Sequence, residues 1–314
     1  MRNASLLSSW FALVAGSAIV IGCSASNTDG TFQGNGGEGG TAGQGGTGST
    51  GGMGGTGGTG GMGGTGGDGG FNFPTDGGTP DPELPGEVFG HGPDRLYKLD
   101  PYTKEVSLVG YFEGCGVDVI DIALDKDSKI FGTTFGGLVA IDKTNAKCTL
   151  IQNGSYPNSL SFVPAGTLDP NNEVLVGYQN ATYVRIDTVT GAVTTVGSIG
   201  GGYASSGDIV SVKGGGTYLT VTGNGCNDCL IEVDPKTGAL IKNWGAVGYE
   251  NVFGIAFWAG SVYGFNSSGF LFEITFNPNG SGITSNAIET PGGQNLVFWG
   301  AGSTTIAPIV PPPK

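Results

Sequence analysis

The chain has 314 residues and a formal charge of −13 at pH 7, with 26 acidic residues against 13 Lys and Arg. That balance argues against nucleic acid and anionic lipid headgroups as partners, since their phosphates need basic surfaces. The 64 glycines far exceed the usual share of about 7%, yet they lack the Gly-X-Y period and proline load of collagen. Residues 1–22 read as an export signal. Arg2 is the only charge, and residues 6–21 are mostly apolar or small. This run suits a signal peptide better than a spanning helix, which needs ~20 mostly apolar residues. Val20-Ile21-Gly22-Cys23 closes the segment.

That closing stretch resembles a bacterial lipobox. The resemblance implies cleavage before Cys23, acylation of its thiol, and a membrane anchor made of lipid. Each buried acyl CH₂ contributes about 0.8 kcal/mol, and multiple chains are needed for a stable hold. Ser24 follows, in place of the aspartate that commonly retains such proteins at the inner membrane. The resemblance therefore implies an outer-membrane or cell-surface location. Residues 23–86 form the lipidated cysteine and a tether. Residues 30–70 are almost all Gly with Thr, Met, Gln and Asp. Such a segment cannot bury enough apolar area to offset its ordering entropy, so disorder is expected. A glycine-rich coil of ~60 residues spans roughly 40–45 Å. No Gly-Lys-Ser/Thr accompanies these glycines, which excludes a phosphate-binding loop.

Residues 87–308 carry a repeat, and residues 309–314 form a Pro-rich tail. One element reads as strand, aspartate turn, strand, with its turn at Asp100, Asp142, Asp187 and Asp234, and a degraded copy at Thr275. The spacing is 41–47 residues. Asp234-Pro-Lys-Thr-Gly238 is hairpin-turn chemistry between alternating apolar residues. A second element alternates with the first and starts at Asp121, Ser159, Asp208, Gly254 and Asn295. Two hairpins per ~45 residues make a four-stranded unit, the length of a propeller blade. Four complete units start near residues 121, 159, 208 and 254. The fragment 295–307 lacks its second hairpin, and residues 87–112 lack a first strand. The expected fold is therefore all-β. It is a β-propeller of five four-stranded blades closed by pairing of N- and C-terminal strands, with six blades as the alternative. No sustained 3.6-residue period is present, so helix content should be low.

The recurring apolar-x-x-Ile/Leu-Asp-x-x-Thr-Gly turn resembles secreted bacterial β-propellers of the quinoprotein-like and NHL-like group, in particular lipoproteins with a glycine-rich spacer. This likeness is specific for architecture and poor for function. Residues 234–244, ending in Trp244, are similar to the tryptophan docking repeat of quinoprotein propellers. Here it occurs once, so it implies scaffold rather than a cofactor.

Four cysteines follow Cys23: Cys115, Cys148, Cys226 and Cys229. An even count in an exported chain reads as disulfides. Three connectivities are possible, and Cys115–Cys148 with Cys226–Cys229 is favoured. The latter pair is expected at a hairpin tip. Zinc is the rival reading of Cys-x-x-Cys, but the second pair is separated by 33 residues. No metal site and no cofactor are expected. His91, the only histidine, lies in a loop-like stretch and should be exposed. The repeated aspartates should bond backbone N–H groups in their turns. Asp125-Lys-Asp127-Ser-Lys129 lacks the glycine and distal glutamate of a calcium loop. Trp258 and Trp299 read as equivalent residues at the ends of innermost strands, with Asp125 aligned to them. These three are the candidate ligand-binding residues of the channel, and inter-blade packing of the aromatics is the structural alternative.

The functional expectation is a lipid-anchored, non-catalytic binding or scaffold module at the envelope or surface. Its ligand would be a small molecule, a glycan or a protein. A cationic ligand is one option for an acidic surface, which otherwise serves solubility. The alternatives are an extracytoplasmic hydrolase or lyase acting on a carbohydrate or lactone, and a passive envelope structural protein. A glycosidase would need two channel carboxylates ~5–10 Å apart.

Overall fold

The computed structural model describes residues 86–290 and 296–311. Cys23, the signal segment and the glycine-rich run lie outside the described residues. The described chain opens with β1 (Val88–His91), β2 (Arg95–Leu99) and β3 (Val106–Tyr111). The first complete blade holds β4 (Val119–Leu124), β5 (Ile130–Thr134), β6 (Gly137–Ile141) and β7 (Cys148–Asn153). The second holds β8 (Leu160–Val163), β9 (Val174–Gln179), β10 (Thr182–Ile186) and β11 (Val193–Ser198). The third holds β12 (Ala204–Ser211), β13 (Thr217–Gly223), β14 (Cys226–Val233) and β15 (Leu240–Ala246). The fourth holds β16 (Val252–Trp258), β17 (Ser261–Asn266), β18 (Leu271–Phe276) and β19 (Ile283–Ile288). Last comes β20 (Gly300–Ser303), which pairs antiparallel with β1.

Each blade is a four-stranded antiparallel sheet, and the closing blade has the order β20-β1-β2-β3. The innermost strands β4, β8, β12, β16 and β20 pack on one another in a closed ring. The chain folds as a five-bladed β-propeller. No helix occurs among the described residues. Closure by β1 and β20 pairs strands that would otherwise be sheet edges open to aggregation.

Burial falls from the channel outward, and the sequence follows it. Inner strands such as β16 and β17 are continuously apolar and almost wholly buried. Outer strands such as β7 and β11 carry Thr, Gln and Ser, and their residues range from half-buried to exposed. Four of the five second strands, all but β13, carry a mid-strand glycine where neighbouring groups crowd in. At Gly132 an added Cβ would lie 3.2 Å from the Asp121 carbonyl oxygen.

The repeated aspartates do what turn chemistry requires. Asp187 Oδ1 accepts from the N–H groups of Val189 at 2.9 Å and Thr190 at 2.8 Å. Asp100 accepts from Tyr102 and Thr103 at 2.8 and 3.1 Å, Asp142 from Thr144 at 2.8 Å, and Asp234 from Lys236 at 2.9 Å. Four residues after Asp187 the chain turns left-handed at Gly191, with φ of 73°. These turns also build the seams between blades. Gly110 and Gly197 lie on outer strands where an added Cβ would meet a carbonyl of the next blade's turn, that of Asn145 or Thr237.

Cys115 is bonded to Cys148, and Cys226 to Cys229. The first bond ties the segment leading into the first blade to that blade's outer strand. Adjacent to it, Cys148 N–H donates to the Glu113 carbonyl at 2.7 Å. The second bond differs from expectation in place. The hairpin tip is Asn224-Gly225, with φ of 48° and 79°, and both cysteines lie inside β14.

Candidate functional site at the channel mouth

The innermost strands all begin at the same end of the channel. There Ile120, Asn158, Gly207, Phe253 and Trp299, one residue from each blade, line a depression of about 210 Å³. One residue further along the ring stand Asp121, Ser159, Asp208, Gly254 and Gly300. Two of these five are glycines because the strands crowd. A Cβ at Gly254 would strike the Gly300–Ala301 backbone.

Asp121 and Asp208 are fully buried. Asp121 Oδ2 accepts from Leu160 N–H at 2.6 Å, on the next blade. Asp208 Oδ2 accepts from Ile255 N–H at 2.8 Å, also on the next blade, and its Oδ1 accepts from Ile209 N–H at 2.6 Å. Each carboxyl thus clamps its own blade to its successor. The two side chains also meet each other in hydrogen-bond contact. Burial raises both carboxyls well above the ordinary range, and the neighbouring Asp208 charge raises Asp121 further. Two ionised carboxylates cannot share such a site, so the pair holds at least one proton. Asp121 Oδ1 is the one oxygen of the pair without a protein hydrogen-bond donor. That oxygen is the place open to a proton, since the other three already accept from backbone N–H groups.

His91 completes the constellation, against expectation. It is buried, because β1 continues through it and pairs it with Gly300 and Leu96. Its Nδ1 donates to the Gly92 carbonyl at 2.7 Å. Burial lowers its pKa to about 4, so it is neutral and Nε2 is a lone-pair acceptor. Nε2 and Asp121 Oδ1 both lack partners. A Cβ on Gly300 would collide with both, so the two atoms face the same small gap.

This arrangement predicts a pH signature. The folded pair holds a proton that an unfolded aspartate releases above its ordinary value of 3.8. Its contribution to stability is complete below that value and declines as pH rises toward the folded one. Asp121→Asn places an NH₂ where the proton sits and keeps an oxygen for Leu160. The melting temperature of this variant, relative to the parent, is expected to climb as pH is raised above neutrality. In that window His91 is neutral in the folded chain, with a pKa of about 4, and mostly so in the unfolded one, where the ordinary value is 6.5. A difference that stays flat or shrinks across the window would place the proton elsewhere.

The three residues expected to bind ligand are not brought together. Trp299 lies one residue before β20 and lines the mouth. Trp258 ends β16, at the opposite end of the channel, and is only 2% exposed. The two were expected to be equivalent, but the last innermost strand starts at Gly300, beyond the apolar run 296–299. Ala301 pairs with Gly90 as Ile255 pairs with Gly264, which makes Trp299 the counterpart of Phe253. Trp258 packs edge-on to Tyr102 at 6.1 Å, beside a second depression of about 310 Å³. Asp125 follows β4, also away from the mouth. Its Oδ1 accepts from the N–H groups of Asp127 and Lys129 at 2.9 and 2.8 Å, which closes a turn. Trp244 acts between blades: its ring packs against Phe276 of the next blade at 4.8 Å, and its Nε1 donates to Glu232.

Asp121, Asp208, His91 and Phe135 were not among the expected site residues. Phe135, in the β5–β6 turn, is 69% exposed and stands edge-on to Trp299 at 6.5 Å. The signal for the acids was present, since Asp121 and Asp208 open two copies of the same repeat element where other copies carry Ser or Gly. Among the described residues, no group of three or more His, Cys, Asp or Glu side chains is placed to hold a metal ion.

No family model matches this chain, and no curated protein matches it. Among solved structures it is similar to a chain of a nidogen/laminin complex, at 10% identity and a TM-score of 0.44, covering 69% of this chain and 98% of that one. It is similar to a protein of unknown function from Bacteroides caccae, at 16% identity and a TM-score of 0.38, covering 68% and 77%. It is also similar to TolB from Acinetobacter baumannii, at 14% identity and a TM-score of 0.41, covering 67% and 51%. The blade assignment rests on strand pairing within this chain.

Proposed function

We propose that this protein is a lipid-anchored envelope propeller that binds a small ligand, or one ring of a larger one, at the channel mouth without acting on it chemically. The observation that carries this reading is the five-residue rim. Trp299, Phe253 and Ile120 offer apolar surface, Asn158 offers a single amide, and the volume of about 210 Å³ suits one small ring or headgroup. Ligand sites are commonly concave, mostly apolar and supplied with few polar groups. The anchor is Cys23, through the lipobox it completes. A hydrolase would need two carboxyls set apart around a sugar and open to water. Asp121 and Asp208 touch each other and are fully buried, which weighs against that alternative. A passive structural protein has no use for an exposed aromatic such as Phe135 beside a rim tryptophan.

Tryptophan fluorescence of the full mature chain against a panel of glycans and small metabolites tests the site. The expected result is a saturable shift that disappears in Trp299→Ala and persists in Trp258→Phe. A shift that depends on Trp258 alone, or none across the panel, would remove the mouth as the binding site. Membrane fractionation tests the anchor, with Cys23→Ser expected to release the protein.

A further inference from the structure

We infer that the ligand of the mouth is an organic cation, of the class of quaternary or tertiary ammonium headgroups. The inference deepens the proposed binding site and rests on it. Three independent observations point the same way.

The first is charge placement. Among the described residues, the segments leading into the innermost strands, 112–118, 154–159, 199–203, 247–251, 289–290 and 296–299, contain Glu113, Asp118, Glu250 and Glu289 but no Lys or Arg. The turns leaving those strands at the other end mix Lys126, Lys129 and Lys213 with Asp125, Asp127, Asp169 and Glu173. Arg95 pairs with Asp94 at 2.7 Å, and Lys147, 3.8 Å from Glu113, offsets that acid, which leaves Asp118, Glu250 and Glu289. The field at the mouth is therefore negative, and the low-dielectric walls of a cleft focus it.

The second is the buried pair directly beneath the rim. Asp121 and Asp208 follow Ile120 and Gly207 in the chain. They are two acids with no cation beside them: their hydrogen-bond partners are backbone N–H groups and each other. His91, the other titratable group facing Asp121, is neutral and adds no compensating charge. The donors are neutral backbone N–H groups from Leu160, Ile209 and Ile255, so nothing basic offsets the two acids.

The third is the character of the rim. A metal ion demands several oxygen ligands, and the rim side chains supply only the Asn158 amide. An ammonium carrying methyl groups asks instead for aromatic faces and apolar contact. Trp299 and Phe253 line the depression, and Phe135 stands beside Trp299. A cation over such rings gains most when partly desolvated, and Trp is the best partner.

Calorimetric titration of the full mature chain tests the inference with three probes. Choline carries the cation, 3,3-dimethyl-1-butanol has the same shape without charge, and glucose is a neutral ring. Choline is expected to bind at least ~10-fold more tightly than its neutral isostere, on the strength of a partly desolvated cation–π contact. Phe135→Ala is expected to weaken choline binding by roughly 3–10-fold on the same ground, and its exposure leaves folding unaffected. Trp299→Ala should weaken it further, and Trp258→Phe should not change it. If choline and its isostere bind equally, or glucose alone binds in a Trp299-dependent way, the cation is wrong while the mouth stands. If choline binds but ignores both Phe135→Ala and Trp299→Ala, the cation is bound elsewhere and the inference falls. If none of the three binds, the cation falls; failure of the wider panel as well removes the mouth.

Discussion

Asp208→Ala is expected to destabilise the propeller by about 2–6 kcal/mol, the cost of leaving two buried backbone donors without an acceptor. Two backbone donors, Ile209 and Ile255, lose their acceptor in a region that no solvent reaches. Each buried donor left unpaired costs about 1–3 kcal/mol. Asp121 loses its hydrogen-bond acceptor at the same time. Since Ile255 belongs to the next blade, the loss also loosens one joint of the ring. For a domain of this size, each kcal/mol lowers the melting temperature by roughly 2–4 °C. Urea unfolding followed by far-UV circular dichroism reads the change directly. The turn aspartates supply the contrast. Asp187→Ala removes two N–H acceptors of the same kind, but in an exposed turn where water replaces them, so a loss of about 1 kcal/mol is expected. If the two variants lose equal stability, the buried pair is not the clamp described here.

Removing the Cys115–Cys148 bond, as the double variant Cys115→Ala/Cys148→Ala, is expected to cost about 3–4 kcal/mol. The bond closes a loop with a sequence separation of 33, and chain entropy scales with the logarithm of that length. Cys226–Cys229 has a separation of 3, so its removal should cost only about 1–2 kcal/mol. Position adds to the difference. The first bond holds the chain where it passes from the closing blade into the first complete one, whereas the second sits within a single strand. Paired melts of the two double variants compare them. A larger loss from the Cys226–Cys229 variant would overturn the entropic ordering.

Much of the architecture was legible because it is local. The aspartate turns could be read from Asp100 to Asp234 because a carboxylate two or three residues before an N–H closes its own turn. Strand alternation and the ~45-residue period needed only near neighbours. Five blades and closure by the termini followed from the complementary fragments at 87–112 and 295–307. The start of β20 did not follow. The apolar run before Trp299 looked like the innermost strand, whereas pairing with β1 places that strand at Gly300. One misplaced register moved Trp299 to the opposite end of the channel from Trp258.

By itself, then, the sequence determined the repeat, the turns and the blade count, all of which depend on residues close together in the chain. Only the tertiary structure decided what lines the channel. Each blade contributes one residue at each level of the ring, so the meeting of Asp121 with Asp208, the burial of His91 and the membership of the rim depend on five distant strands. Their mutual register is set by inter-strand hydrogen bonding and by the closeness of backbones at Gly254 and Gly300. A side chain's neighbours across the ring axis leave no periodic trace in the sequence. The geometry of closure places a shared proton, a neutral histidine and an aromatic rim at one end of the channel.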